Sequence, residues 1–235
     1  MRQVVLDTET TGLEPSEGHR IIEIGCVEVI DRRITGSHYH QYIQPDREVD
    51  QGAFEVHGIS NDFLSDKPRM AEVAEPFLEY IRGAELVIHN AAFDVGFINH
   101  EFSMLGPVWG SIAEHCTVLD SLDMARRMHP GQRNSLDALC KRYGIDNSQR
   151  DLHGALLDAQ ILAEVYLMMT GGQVSLMLGE ESESEAGSSQ SFEPQKIQRL
   201  AALPVILADD EEQTAHQHML ETINQASGGK VLWRD

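Results

Sequence analysis

The sequence predicts an α/β fold, a mixed β-sheet flanked by helices, followed by a flexible linker and a small C-terminal segment. Three observations carry this reading. Short apolar runs of strand length cluster near the N-terminus. Longer segments with helical spacing follow, interrupted by one more short apolar run. Beyond Gly172 the character changes, and residues 180–191 are acidic, serine-rich and nearly devoid of large apolar residues.

Residues 4–6 (VVL) read as a short buried strand that ends at Asp7. Residues 20–30 (RIIEIGCVEVI) are rich in β-branched side chains, and 39–43 supply a third strand. Short links and the charged Asp31-Arg32-Arg33 between them predict an antiparallel meander. Residues 70–81 place Val73, Phe77 and Ile81 on one face of a helix that Gly83 stops. Residues 86–88 form another short strand, with a helix beginning near Ala91. Residues 118–128 and 135–143 read as helices separated by Pro130-Gly131, and a long helix runs from about Gly154 to Met169 before Gly171-Gly172. Residues 180–191 (EESESEAGSSQS) should be a solvated linker. A last compact stretch holds an apolar run at 203–207, a helix over about 210–225 and the terminal GGKVLW, too short to fold alone.

A chain of 235 residues holds one well-buried domain plus an appendage. No run is long and apolar enough to span a bilayer, and Met1 leads almost directly into a core strand, so a cytoplasmic location without a signal peptide is expected. Cys26, Cys116 and Cys140 form no CxxC pair and read as small buried hydrophobes in a reducing compartment. The formal net charge of −20 argues against a protein that holds nucleic acid unaided, since phosphate neutralisation normally supplies much of that affinity. If the substrate is nucleic acid, bound metal and a partner must carry the attraction.

Four carboxylates and one histidine supply the chemistry. Asp7 and Glu9 are separated by two, so on a strand both point to the same face, at the carboxyl end of a core strand. Alone, this block reads equally well as a strand end followed by a turn. Asp94 shares a helical stripe with Phe97, Ile98 and Phe102; Asp158 shares one with Ile161, Leu162 and Val165, in mid-helix where no cap is available. Burying such carboxylates without a partner costs several kcal/mol or raises their pKa, and divalent metal resolves the conflict. His153 and Asp158, five apart, lie about 140° from each other around a helix. The simpler geometry puts His153 in the first turn, with Asp151 as N-cap, leaning over a site that Asp158 reaches from below. A neutral imidazole there suits a general base. Such a set fits two divalent cations about 4 Å apart acting on a phosphodiester. The oxygen-rich donors suit Mg2+ or Mn2+.

These residues resemble the signature of the DEDDh 3′→5′ exonuclease superfamily, which has the RNase H-like fold: DxE, NxxFD and HxxxxD, each matched here without departure. Further stretches (VLDTETTG, RIIEIGCVEV, AFEVHGI, IRGAELVIHNAAFD, RNSLDALC, LHGALLDAQILAEVYL and the terminal GGKVLWRD) are similar to the bacterial replicative proofreading branch of that superfamily. The resemblance implies that Asp7, Glu9, Asp94 and Asp158 hold two divalent metal ions and that His153 deprotonates the attacking water. It implies removal of mispaired 3′-terminal deoxynucleotides from single-stranded or frayed DNA ends. An RNA-trimming 3′→5′ exoribonuclease of the same superfamily is the alternative, because the scissile phosphate is the same.

By the same resemblance, Thr10, Thr11, Gly12 and Leu13, with His57, Asn90 and Phe93, line a pocket for the 3′-terminal nucleotide. Core packing for Phe93 and a turn role beside Gly58 for His57 remain equally open. Gln173, Leu176, Met177 and Leu178 resemble the Gln-x-x-Leu peptides that bind the bacterial sliding clamp (beta), with Met177 where an aromatic residue often follows the leucine. A helix-exit segment packing on the domain is the other reading. The terminal stretch resembles the family's polymerase-docking tail, which implies Leu207, Leu220, Ile223, Leu232 and Trp233 as candidate anchors on the polymerase catalytic (alpha) subunit. On a further small accessory subunit the sequence is silent. The implied organisation is an exonuclease domain over 1–172, a clamp-binding peptide and linker over 173–194, and a docking tail over 195–235. A scaffold that joins polymerase to clamp would coexist with the enzyme, because the catalytic set is intact.

Overall fold

The computed structural model describes residues 1–148, 152–171 and 208–228. β1 (Arg2–Thr10) pairs antiparallel with β2 (Ile21–Ile30), which pairs antiparallel with β3 (Arg33–Tyr42). Asp31 and Arg32 between them both adopt positive φ (47° and 64°), the backbone of a two-residue turn whose twist suits a hairpin. On the other side of β1, β4 (Glu85–Ile88) and then β5 (Thr117–Asp120) add in parallel, giving the order β3-β2-β1-β4-β5. Helices cover both faces of this mixed sheet, as the sequence predicts.

β1 is apolar on both faces up to Leu6 because each face has its own core. Val4 and Leu6 pack with α3 (Met70–Ile81) and α4 (Ala91–Leu105), where Phe77, Phe97 and Phe102 are fully buried. Each such ring contributes about 2 kcal/mol by leaving water. Val5 packs on the opposite face with Leu139 of α7 (Leu136–Tyr143) and Leu162 and Val165 of α8 (Ala155–Thr170). Arg32, from the hairpin turn, donates to the Leu167 carbonyl and the Thr170 hydroxyl, placing a cation at the α8 C-terminus. Arg20 ties the start of β2 to α4. Its guanidinium meets both carboxylate oxygens of Glu101 at 2.8 and 2.7 Å, and Glu101 is 1% exposed. Glu101 also accepts the Ile21 N–H at 3.1 Å.

Several sequence expectations need correction. Residues 118–128 are not one helix: Val118 and Leu119 pair with Leu86 and Val87 in β5, and only α6 (Ser121–Met128) is helical. Asp120 makes the switch, its side chain accepting the Leu122 and Asp123 N–H groups as an N-cap. β1 continues through Thr10 instead of stopping at Asp7, and β3 begins six residues before the expected Tyr39. Three short helices, α1 (Gln51–His57), α2 (Asn61–Leu64) and α5 (Ile112–His115), are too brief for periodicity to reveal. Asp158 is not mid-helical. It lies in the first turn of α8, and His153 precedes that helix, whose N-cap is Gly154. The expected cap, Asp151, lies outside the described residues.

The chain divides into two units, Met1–Leu178 and Gly179–Asp235. Within the second, α9 (Asp210–Ala226) matches the expected helix and is opened by a capping box between Asp209 and Glu212. None of its residues is buried; Leu220 is half-buried and Ile223 exposed. Gln173, Leu176, Met177, Leu178, Leu207, Leu232 and Trp233 lie outside the described residues, as does the linker over 180–191. The three cysteines are buried and none is in a disulfide among the described residues. No helix among the described residues is long and apolar enough to cross a membrane.

The Arg20–Glu101 pair should be a main tie between sheet and α4. Removing the carboxylate by Glu101→Ala leaves a half-buried guanidinium and should lower the unfolding free energy by about 3 kcal/mol, read from urea denaturation.

Candidate active site

Asp7, Glu9, Asp94, His153 and Asp158 all line one cavity of about 660 Å3 at the carboxyl end of β1, beside Asn90 and Phe93. Strand alternation explains how two faces of the sheet supply one site. Val5, Asp7 and Glu9 project toward the α8 side, where Asp158 stands, while Thr8 projects toward α4. The Thr8 hydroxyl donates to Asp94 Oδ1 at 2.7 Å and so draws that carboxylate across the strand end. Thr8 is a site residue that sequence reasoning missed, although it stands between the two acids of the DxE block.

Asp94 and Asp158 are each 3% exposed, and Glu9 8%. Burial pushes the Asp94 carboxyl up to about 7, opposed by the Thr8 hydroxyl and two backbone amides and reinforced by the nearby Asp120 charge. The helix that carries Asp94 is held at its start. Asn90 takes a left-handed conformation (φ 70°), and Asp120 Oδ2 accepts the Ala91 N–H at 3.1 Å while Oδ1 caps α6. His153 reaches the site from a loop: its N–H bonds the Val56 carbonyl at 3.1 Å, and Nδ1 lies 3.4 Å from Asp158 Oδ2. Its imidazole is substantially exposed at the cavity mouth.

Glu9, His153 and Asp158 bring one potential ligand atom each within 4.8 Å of one another. With Asp7 and Asp94 on the same cavity, the donor set is rich in hard oxygen and has no thiolate. Among the described lining residues Arg126 is the sole arginine, and there is no lysine. The raised Asp94 pKa comes first from burial, a penalty on the anion that a bound cation would offset. These residues therefore fit a divalent metal.

A second cavity, about 550 Å3, shares Thr8, Glu9 and Phe93 with the first and is further lined by Thr10, Gly12, Leu13 and His57. Gly12 is required where it stands, because a Cβ there would meet the His19 ring at 2.2 Å. Leu13 is 77% exposed. Thr11 lines neither cavity: it is fully buried, its hydroxyl accepting the Arg20 N–H and contacting His19 Nδ1. Asn90 lines the first cavity, not the second. For Phe93 and His57 both readings describe the surroundings. Phe93 packs on Phe97 with ring centroids 4.9 Å apart while facing both cavities. His57 closes α1 before Gly58, Nδ1 accepting the Ile59 N–H at 3.0 Å, and burial lowers its pKa. The sequence also gave no hint of Gln132, Asn134 and Ser135, which line the first cavity from the loop before α7. Arg142 holds that loop through Gln132, Asn134 and the Arg133 carbonyl.

Comparison with known proteins agrees with this geometry. Residues 4–166 match an exonuclease family profile, RNase_T. DNA polymerase III subunit epsilon of Escherichia coli K12 is 56% identical over 99% of this chain and 97% of its own length. The Salmonella typhimurium LT2 subunit of the same name is 55% identical over the same shares. Among solved structures, exonuclease X in complex with 5′-overhanging duplex DNA superposes with a TM-score of 0.56 at 28% identity, covering 72% of this chain and 91% of that one. With the five-stranded RNase H-like sheet and the acidic cavity at its centre, these likenesses place the chain in the epsilon-subunit family of DNA polymerase III, as a 3′→5′ exonuclease.

Proposed function

We propose that this proofreading exonuclease binds two divalent ions, Mg2+ or Mn2+, through Asp7, Glu9, Asp94 and Asp158, and that His153 is its general base. The observation that carries the reading is the convergence of these five side chains, from three separate sequence blocks, on one cavity. When bound, the cations supply Lewis-acid stabilisation of the scissile phosphodiester and neutralise charge on the leaving oxygen.

The chain's own residues do the rest. The Asp158 carboxylate beside Nδ1 favours the His153 tautomer with its proton on Nδ1, which leaves Nε2 to take a proton from the attacking water. The same carboxylate then stabilises the imidazolium. Attack at phosphorus breaks the bond to the 3′ oxygen of the preceding nucleotide, releasing a nucleoside 5′-monophosphate and a shortened strand with a free 3′ hydroxyl. Thr10, Gly12, Leu13, His57 and Phe93 hold the terminal nucleotide in the second cavity. Only an unpaired nucleotide enters, so frayed and mispaired ends are favoured over paired ones.

The relatives are subunits of DNA polymerase III, and we read this chain as acting with the polymerase catalytic (alpha) subunit. Leu207, Leu220, Ile223, Leu232 and Trp233 are its anchors, and Gln173–Leu178 contacts the sliding clamp. The net charge of −20 supports this reading, because a partner then holds the DNA. The organisation is an exonuclease domain over 1–172, a clamp peptide and linker over 173–194, and a docking tail over 195–235.

Release of mononucleotides from a primer with a mispaired 3′ end, with the matched primer and an RNA oligonucleotide alongside, tests the function. Rapid release from the mispaired DNA is expected, with loss on chelation and in Asp7→Ala/Glu9→Ala. Undiminished hydrolysis in either case, or a strong RNA preference, would overturn the reading. His153→Ala should lower kcat by about 10²–10³-fold while the DNA dissociation constant moves less than about threefold; equal loss of both would make the histidine a structural or ligand residue. Because Asp94 in the metal-free protein is raised to about 7, cation binding below that pH must displace a proton. The apparent Mn2+ affinity should fall by about tenfold per pH unit below about pH 6, with matching proton release by calorimetry in two buffers. Without metal, the folded protein holds a proton that the unfolded chain releases near the ordinary aspartate value of 3.8, so Asp94 makes stability fall as pH rises toward 7.

A further inference from the structure

We propose that Glu23 is a positioning residue for hydrolysis, fixing the start of α8 against β2 and thereby setting the spacing of Asp158 and His153 from Glu9. This rests on the assignment of those three residues to the active site. Glu23 is 2% exposed and stands directly opposite Glu9 in the β1–β2 pairing, where the register shifts between Glu9 and Thr10. A buried carboxylate next to an acidic site is unfavourable unless something compensates it. Both of its oxygens are engaged. Oε1 lies 2.7 Å from Nε2 of His40, on edge strand β3, and Oε2 accepts the Ala155 N–H at 3.2 Å.

Ala155 opens α8, and its N–H is one of the orphan donors at a helix start. Gly154, the N-cap, has no side chain to satisfy such donors, so the cap comes from another strand. The positive end of the helix further favours the anion. Gly25 completes the clamp. A Cβ there would lie 2.2 Å from both the Ala155 carbonyl carbon and the Leu156 nitrogen, so helix backbone rests directly on strand backbone. Glu23 and Gly25 thus register α8 on the strand that pairs with β1, and Asp158 is only three residues beyond Ala155. Because Glu9 sits on β1 and Asp158 on α8, the clamp links the two halves of the site through β2. His40 holds Glu23 from behind. A displacement of about 1 Å in such a constellation is enough to cost about 10²-fold in rate.

The test compares Glu23→Ala, Glu23→Gln, His40→Ala and Asp158→Ala in the full chain, assayed on single-stranded DNA well below each variant's thermal midpoint. Glu23→Ala should lower kcat by at least about tenfold with KM within about threefold. Glu23→Gln, which keeps an acceptor for the Ala155 N–H, should recover to within about threefold of the parent. Amide exchange at Ala155 should quicken in Glu23→Ala and not in Glu23→Gln. If Glu23→Ala does not fold, His40→Ala decides: a fall in kcat of at least about threefold supports the clamp, and unchanged kcat overturns it. The inference is also overturned if Glu23→Ala keeps kcat within about twofold, or if Glu23→Gln is as impaired as Glu23→Ala. Asp158→Ala separates the two levels. Full activity in that variant would refute the site assignment itself, whereas its inactivity beside an active Glu23→Ala would refute only the clamp.

Discussion

Like charge crowded at the carboxyl end of β1 is the constraint around which the rest of this structure is arranged. Asp7 and Glu9 leave one face of that strand, and Asp94 and Asp158 arrive from helices on opposite sides of the sheet. Water would solvate such anions cheaply, but Asp94 and Asp158 are nearly as buried as the phenylalanines around them. The scaffold tolerates this through directed hydrogen bonds, as from the Thr8 hydroxyl to Asp94, and at the cost of a carboxyl raised toward neutral pH. A divalent cation bound there would offset that penalty, in keeping with the exonuclease family to which the chain belongs.

Elsewhere the chain handles buried carboxylates differently. Glu101 meets the Arg20 guanidinium with both oxygens, and Glu23 meets His40 and a helix N–H. In both cases the partners are built from protein and the role is to fix one element against another. The acidic residues of the cavity share their surroundings with a single arginine and no lysine among the described lining residues. The carboxylates that hold the frame and those proposed to hold metal thus differ in the company they keep, not in their depth. The general acidity of the chain fits the same proposal, in which attraction to DNA is left to metal and partners.

What was legible in the sequence follows from range. Strands β1 and β2 and helices α3, α4, α7 and α8 carry enough apolar periodicity to stand out, and Asp94 and Asp158 betray themselves by putting charge on apolar stripes. β5 was hidden because four strand residues run straight into a helix whose spacing absorbs them, with Asp120 marking the boundary. The sequence puts His153 in the first turn of α8, whereas it precedes the helix, since nothing in its neighbours announces that Glu23, more than a hundred residues earlier, accepts the Ala155 N–H. Thr8, the loop residues Gln132 and Asn134, and the inward turn of Thr11 toward His19 all depend on tertiary approach, which single-sequence spacing does not encode.

The account stands on cations occupying the cavity between β1, α4 and α8. Anomalous diffraction from crystals grown with Mn2+ and a 3′-terminal nucleotide measures this directly. Two manganese peaks within coordination distance of Asp7, Glu9, Asp94 and Asp158 are expected. A cavity without manganese at saturating concentration, or manganese bound only at other surface carboxylates, would contradict it.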